Sequence, residues 1–184
     1  PSSSEELSEY LKEASKIKPI TMYVESIAAS GGYYVASSLK PLIVNKNAII
    51  GSIGVILQHY NIEELAKTIG VKEDNLTYGE FKQPLSSFKE IDEKSKEYLT
   101  NHLLKPMYDN FINSIAVNRN VSKELIEELA QGKVFLGNDE RIKNILVDRV
   151  SNLFSVKKEI QKEFPEAEFV VLDTKKTIIE ELLN

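Results

Sequence analysis

A chain of 184 residues with 42% hydrophobic and 28% charged side chains suits one globular domain over residues 1–184, with a core large enough to need no covalent staples. It holds no cysteine, which excludes disulfides, thiolate metal sites and cysteine nucleophiles. The net charge of −5, with no basic block, argues against a nucleic-acid partner, and no apolar run reaches the ~20 residues of a membrane helix.

Residues 4–16 are predicted helical, with Ser4 as cap and Leu7, Tyr10, Leu11 and Ala14 at helical spacing. Residues 19–25, rich in β-branched and aromatic side chains, predict a buried strand. The small-residue stretch from Ala28 to Ala36 reads as a strand-to-helix turn running into a helix. Residues 42–44 predict a second strand, and a third lies within 48–57 around Gly51-Ser52-Ile53-Gly54. Asn61 caps a helix over 62–69 that Gly70 closes. Residues 74–78 read as a short strand and 79–89 as a loop. A long amphipathic helix runs from Glu90 to about Asn118, with Pro106 as its point of kinking. Helices over 122–131, 138–145 and 153–163 follow, then a strand over 168–172 and a last helix from about Lys175. The alternation of strands and helices in the first half predicts an α/β fold with a parallel sheet and flanking helices, leading into a long helical second half.

The chemistry concentrates at Ser30. A serine hydroxyl attacks a carbonyl only when a base takes its proton and donors await the oxyanion. A sharp turn into a helix supplies outward-facing N–H groups and a favourable dipole. Ala28 and Ala29 leave room around the hydroxyl, Gly31 and Gly32 allow close approach of a substrate, and the Gly31 N–H is the natural oxyanion donor. Ser30 reads equally well as a helix N-cap beside glycines that permit tight packing. Of the two histidines, His102 reads as a surface or packing residue of the long helix, and His59 is a weak candidate base at a strand end. Lys82 stands in the loop Tyr78-Gly79-Glu80-Phe81-Lys82-Gln83-Pro84, flanked by aromatics. A lysine amine is a base only when neutral: roughly one in ~2,500 is neutral at pH 7 for an ordinary pKa of about 10.4, and roughly one in ten if burial lowers it to about 8. An ordinary loop lysine is the competing reading.

The stretch Ile27-Ala28-Ala29-Ser30-Gly31-Gly32-Tyr33-Tyr34-Val35-Ala36 resembles the nucleophile motif of the signal peptide peptidase A (protease IV) family. Three further segments resemble the family in the same order: Gly51-Ser52-Ile53-Gly54-Val55, the lysine-bearing Gly79-Glu80-Phe81-Lys82, and the closing segment from Gly132-Lys133-Val134-Phe135 to Leu146-Val147-Asp148. The resemblance implies a Clp/crotonase-type α/β fold and a serine endopeptidase for released signal peptides or similar apolar peptides. Ser30 would be the nucleophile, Lys82 the general base and Gly31 an oxyanion donor, with Gly51, Ser52, Ile53, Gly54 and Val55 lining the substrate groove. It also implies homo-oligomers whose active sites take serine and lysine from neighbouring subunits. It places a membrane anchor in the full-length protein, on the extracytoplasmic side of a bacterial cytoplasmic membrane. No metal or organic cofactor is implied.

The sequence departs from the family in three places. The family's second oxyanion donor lies in a glycine-rich turn that would precede or coincide with Pro1-Ser2-Ser3-Ser4, so the chain is expected to be N-terminally truncated, without anchor or early strands. Gln83-Pro84 stands where small residues are usual. Asn138-Asp139-Glu140-Arg141 and Asn144 replace glycine-containing positions in a region read as structural. Alternative readings are a non-catalytic oligomerisation or peptide-binding module of the same fold and a phage capsid-maturation protease. A crotonase-like acyl-CoA enzyme would leave Ser30 and Lys82 without a task.

Overall fold

The computed structural model describes residues 2–170. Helix α1, Ser2–Ile17, begins earlier than its apolar spacing predicts, so Ser4 lies in the first turn and does not cap it. Four short strands follow: β1 (Met22–Val24), β2 (Ile27–Ala29), β3 (Leu42–Val44) and β4 (Ile49–Gly51), with helix α2 (Gly31–Ser37) between β2 and β3. Helix α3, Glu63–Thr68, starts where the Glu63 N–H donates to Asn61 Oδ1 at 2.8 Å and stops at Gly70, whose φ of 74° is left-handed. The region predicted as one long helix is a continuous helical run: α4 (Glu93–Leu99), a π-helical segment (Thr100–Leu104) and α5 (Lys105–Arg119). Asp92 caps it by accepting the Ser95 N–H at 2.9 Å. Pro106 has no N–H to donate, and the ladder widens just before it, with the Lys105 N–H reaching Thr100 O. The predicted kink takes the form of this π turn. Helix α6 (Lys123–Leu129), strands β5 (Val134–Leu136) and β6 (Arg149–Val150), and helix α7 (Leu153–Glu163) complete the described elements.

The strands form two three-stranded sheets. One has the order β1-β3-β6 and is parallel throughout. The other has the order β2-β4-β5, with β2 and β4 parallel and β5 antiparallel to β4. The expected α/β architecture of mainly parallel strands with flanking helices is therefore present, divided over two small sheets. Tyr33 from α2, Leu42 and Val44 from β3, Ile50 from β4, and Ile112 and Ile115 from α5 are all fully buried and form the shared core. Each such side chain stabilises the fold by about 1.5–3 kcal/mol of removed apolar surface.

Two predicted elements are absent. Residues 74–78 form no strand: Leu76 and Tyr78 are fully exposed, so nothing fixes them in a sheet. Residues 138–145 form turns in place of a helix. Asn144 has φ 62°, which no α-helix accommodates, and Asp139 takes the Arg141 N–H and guanidinium in a local turn. Strands β2, β5 and β6 were not predicted. Residues 168–170 have no regular structure, and the rest of the predicted strand over 168–172, like the final helix, lies outside the described residues. Among the described residues no helix is long and apolar enough to cross a membrane.

Candidate active site

Ser30 sits at the elbow between β2 and α2. The register of the second sheet sets Ala29 opposite Gly51, and the Ser30 N–H continues the ladder by donating to Gly51 O at 2.8 Å. The chain then reverses sharply, with Ser30 at φ 51° and ψ −123°. That combination belongs to the first central position of a type II′ turn, where glycine is the unstrained residue. A non-glycine residue there costs on the order of 1–3 kcal/mol, a cost met most often at functional sites. The Ser30 side chain makes no capping hydrogen bond to α2, although it occupies the cap position. The N-cap reading is thus disfavoured: the hydroxyl is exposed and unspent. The N–H of Gly31, at the first position of α2, has no intrahelical acceptor and remains available to a ligand. A methyl group built on Gly31 would lie 2.6 Å from Ser4 Oγ, so α1 approaches the elbow closely and a side chain there would push the Ser4 hydroxyl aside.

The cleft in front of Ser30 has a volume of about 590 Å³. Ser30, Gly31, Ser4 and Glu5 form one side. Gly54, Val55 and Ile56 form another, and Tyr34 with Met107, Asn110, Phe111, Asn113 and Ser114 closes it from α2 and α5. Tyr34 holds these two helices together: its hydroxyl is 2.9 Å from Ser114 Oγ and its ring centroid 5.6 Å from that of Phe111.

The segment after β4 divides by role. Gly54 and Val55 line the cleft. Gly51 and Ile53 are buried and do not line it. Gly51 has φ 114°, and a Cβ on it would meet Lys133 O at 2.7 Å. Ile53 is a core residue, while Ser52, half-buried at φ 51°, is a second strained non-glycine position beside the elbow. The Ser52 N–H donates to Lys133 O at 2.7 Å and the Gly132 N–H to Ile53 O at 2.9 Å. This lacing explains why the Gly51–Val55 and Gly132–Phe135 motifs occur together: the second braces the first.

Lys82 does not line the Ser30 cleft. It lies in the irregular stretch between α3 and α4, with its side chain exposed and, among the described residues, without an ion pair. Its neighbours are firmly held. Phe81 stacks on Tyr98 with centroids 4.2 Å apart, Glu80 pairs with Lys94, and Gln83 bonds Glu73 and Asn75 at 2.8 Å each. The hydroxyl of Ser86, with help from Gln83, holds the Glu73 carboxyl below its usual range. The loop therefore presents an anchored backbone and a free amine. Neither histidine lines the cleft. His102 is an exposed helix residue beside Tyr98, and His59 Nε2 is buried without a partner elsewhere.

Sequence reasoning missed the cleft wall on α5. Met107, Asn110, Phe111 and Ser114 repeat at helical spacing and read as an ordinary amphipathic face. It also missed Glu5, which looked like an acidic residue in a first helical turn.

An elbow serine at the end of a β-strand, with an unspent hydroxyl and a neighbouring amide left free by the helix, thus opens onto a cleft built by an α/β fold. The model of peptidase family S49 matches residues 12–165, and the chain belongs to that family. A putative protease of Methanocaldococcus jannaschii is 33% identical over 80% of this chain and 47% of its own length. A putative signal peptide peptidase SppA of Enterococcus faecium is 32% identical over 84% of this chain and 46% of its own. Protease 4 of Haemophilus influenzae is 32% identical over 73% of this chain and 22% of its own. The chain thus spans half or less of the length of these relatives.

Proposed function

We propose that this chain is the nucleophile-bearing part of a serine endopeptidase that works with a Ser/Lys dyad. The supporting observation is the strained, uncapped Ser30 beside the free Gly31 N–H. Ser30 Oγ attacks the scissile carbonyl while the Lys82 amine accepts its proton. The oxyanion of the tetrahedral intermediate rests on the Gly31 N–H. The ammonium returns the proton to the departing amine, leaving an acyl-serine ester. Water, deprotonated by the same amine, then hydrolyses the ester and restores both groups.

Among the described residues nothing covers the Lys82 amine or carries it to Ser30. The arm that bears it exposes Ile56, Tyr60, Leu65, Ile69, Leu76 and Tyr78, an apolar surface suited to a second copy of the chain. Docking of that arm against a neighbour would bury these side chains and deliver Lys82 to the neighbour's Ser30. Val55, Ile56, Met107 and Phe111 in the cleft favour apolar peptides. Released signal peptides are the natural class, in keeping with the similarity to the putative signal peptide peptidase SppA of Enterococcus faecium. Such substrates place the full-length protein at the extracytoplasmic side of a cytoplasmic membrane.

The test is hydrolysis of apolar, signal-like peptides by the full-length protein. Ser30→Ala and Lys82→Ala are each expected to lower kcat by at least about 10³-fold. Activity that survives either substitution refutes the dyad. The absence of Lys82 from the cleft also suits a non-catalytic peptide-binding module, which would bind these peptides yet resist labelling of Ser30 by a serine-directed phosphonate.

A further inference from the structure

Among the described residues that line the Ser30 cleft, Glu5 alone carries a charge at neutral pH; the others are apolar, amide, hydroxyl or glycine. Glu5 projects from the first turn of α1, and among the described residues it has no cationic partner. It also lines a neighbouring groove along α1 with Glu6, Glu9, Tyr10 and Glu13. Glu9 and Glu13 are engaged by Lys12 and Lys16 at 2.8 and 2.6 Å, which leaves Glu5 and Glu6 uncompensated. Among the described residues no lysine or arginine lines either depression.

We infer that Glu5 is a specificity-determining residue: it selects peptides that carry a lysine or arginine next to the apolar segment held in the Ser30 cleft. A carboxylate at the mouth of an apolar cleft attracts a cation and repels an anion. A peptide in extended conformation advances ~3.3 Å per residue, so one side chain lies against Val55 or Phe111 while another a few residues away reaches Glu5. The inference rests on reading the Ser30 cleft as the substrate site. The bland alternative is that Glu5 only complements the α1 dipole, in which case substrates would not be sorted by charge.

The experiment measures binding without turnover. Ser30→Ala removes only the hydroxyl, so the variant keeps the other side chains that line the cleft. Fluorescein-labelled apolar peptides, matched except for a single Lys, Gln or Glu scanned along the sequence, are titrated by anisotropy. At the best position the Lys peptide is expected to bind about fivefold tighter than the Glu peptide, the scale of one partly exposed charge pair. Screening at about 1 M salt brings this ratio near unity. The added Glu5→Gln substitution abolishes the ratio, and Glu5→Lys inverts it; thermal melting checks that both variants stay folded. An unchanged ratio in Glu5→Gln, or no binding of any Lys peptide, overturns the inference. Hydrolysis by the wild type with no charge preference would also remove it, while leaving the endopeptidase reading intact. Charge-selective binding without hydrolysis would do the reverse.

Discussion

The backbone of Ser30 is held against its own preference, and this has a measurable consequence. Glycine adopts φ 51°, ψ −123° without penalty, whereas alanine keeps the Cβ that causes the strain. Ser30→Gly should therefore be more stable than Ser30→Ala by about 1 kcal/mol, after allowing for the greater unfolded-state entropy of glycine. Urea denaturation of the two inactive variants decides this; equal midpoints would mean that the elbow is not strained. Gly51 gives the opposite case. Its φ of 114° and the 2.7 Å approach of a built Cβ to Lys133 O predict that Gly51→Ala loses about 3 kcal/mol or more. Ser30 and Gly31 were legible at this scale because a turn into a helix demands small residues in a fixed local order, whereas Gly54 was named only through the family resemblance. The buried roles of Gly51 and Ile53 were not, because they depend on the Gly132–Phe135 segment far along the chain. Glu5 was illegible for a similar reason: only the approach of α1 to Gly31 brings it to the cleft.

Helix α5 must stay fixed on the first sheet if it is to wall the cleft. Arg119, at its C-terminal end, has a side chain only 1% exposed and bonds Asp148 through Nη2 at 2.7 Å and Nη1 at 3.1 Å. Its Nε–H donates to Ile145 O at 2.9 Å, and Asp148 also accepts the Leu42 N–H at 2.6 Å. Partial burial opposes ionisation of Asp148, but the Arg119 and Leu42 hydrogen bonds outweigh it and hold the carboxyl below its usual range. A carboxyl with a lowered folded pKa stabilises the protein above its unfolded pKa of about 4, and that contribution fades as the pH falls below about 4. The Asp148→Asn variant should accordingly lose less stability than the wild type between about pH 5 and pH 2.5. Parallel losses would show that Asp148 is not the titrating anchor. Arg119→Ala, which strands this carboxylate, should cost about 3 kcal/mol or more in chemical denaturation. Helix α2 was readable from its small-residue turn, and α6 and α7 fall inside the helices expected over 122–131 and 153–163. Strands β2, β5 and β6 escaped because each is two or three residues long and, unlike the fully buried β3, keeps exposed residues, so neither alternation nor a buried run marks it. The segment over 138–145 misled because Ile142, Ile145 and Leu146 repeat at helical spacing, yet the backbone turns at Asn144.

On the scale of the molecule, the fold separates two jobs. One region sets Ser30, Gly31 and the cleft with buried, laced elements. The other, from Ile56 to Lys82, offers exposed apolar side chains and an anchored loop whose lysine has no ion-pair partner among the described residues. The apolar residues at 74–78 looked like a strand because single-chain reasoning expects such side chains to be buried at home. Their exposure makes sense if another subunit buries them. Four ordered motifs made the family legible, whereas the distance between Ser30 and Lys82 in sequence says nothing about whether one chain can unite them.

Subunit mixing tests this arrangement directly. Ser30→Ala and Lys82→Ala forms of the full-length protein, each inactive alone, are co-expressed in equal amounts and assayed on an apolar peptide. If each site takes its serine from one subunit and its lysine from the next, random assembly makes about a quarter of the sites whole, and about a quarter of wild-type activity returns. Inactivity at every mixing ratio would contradict a dyad shared between neighbouring chains.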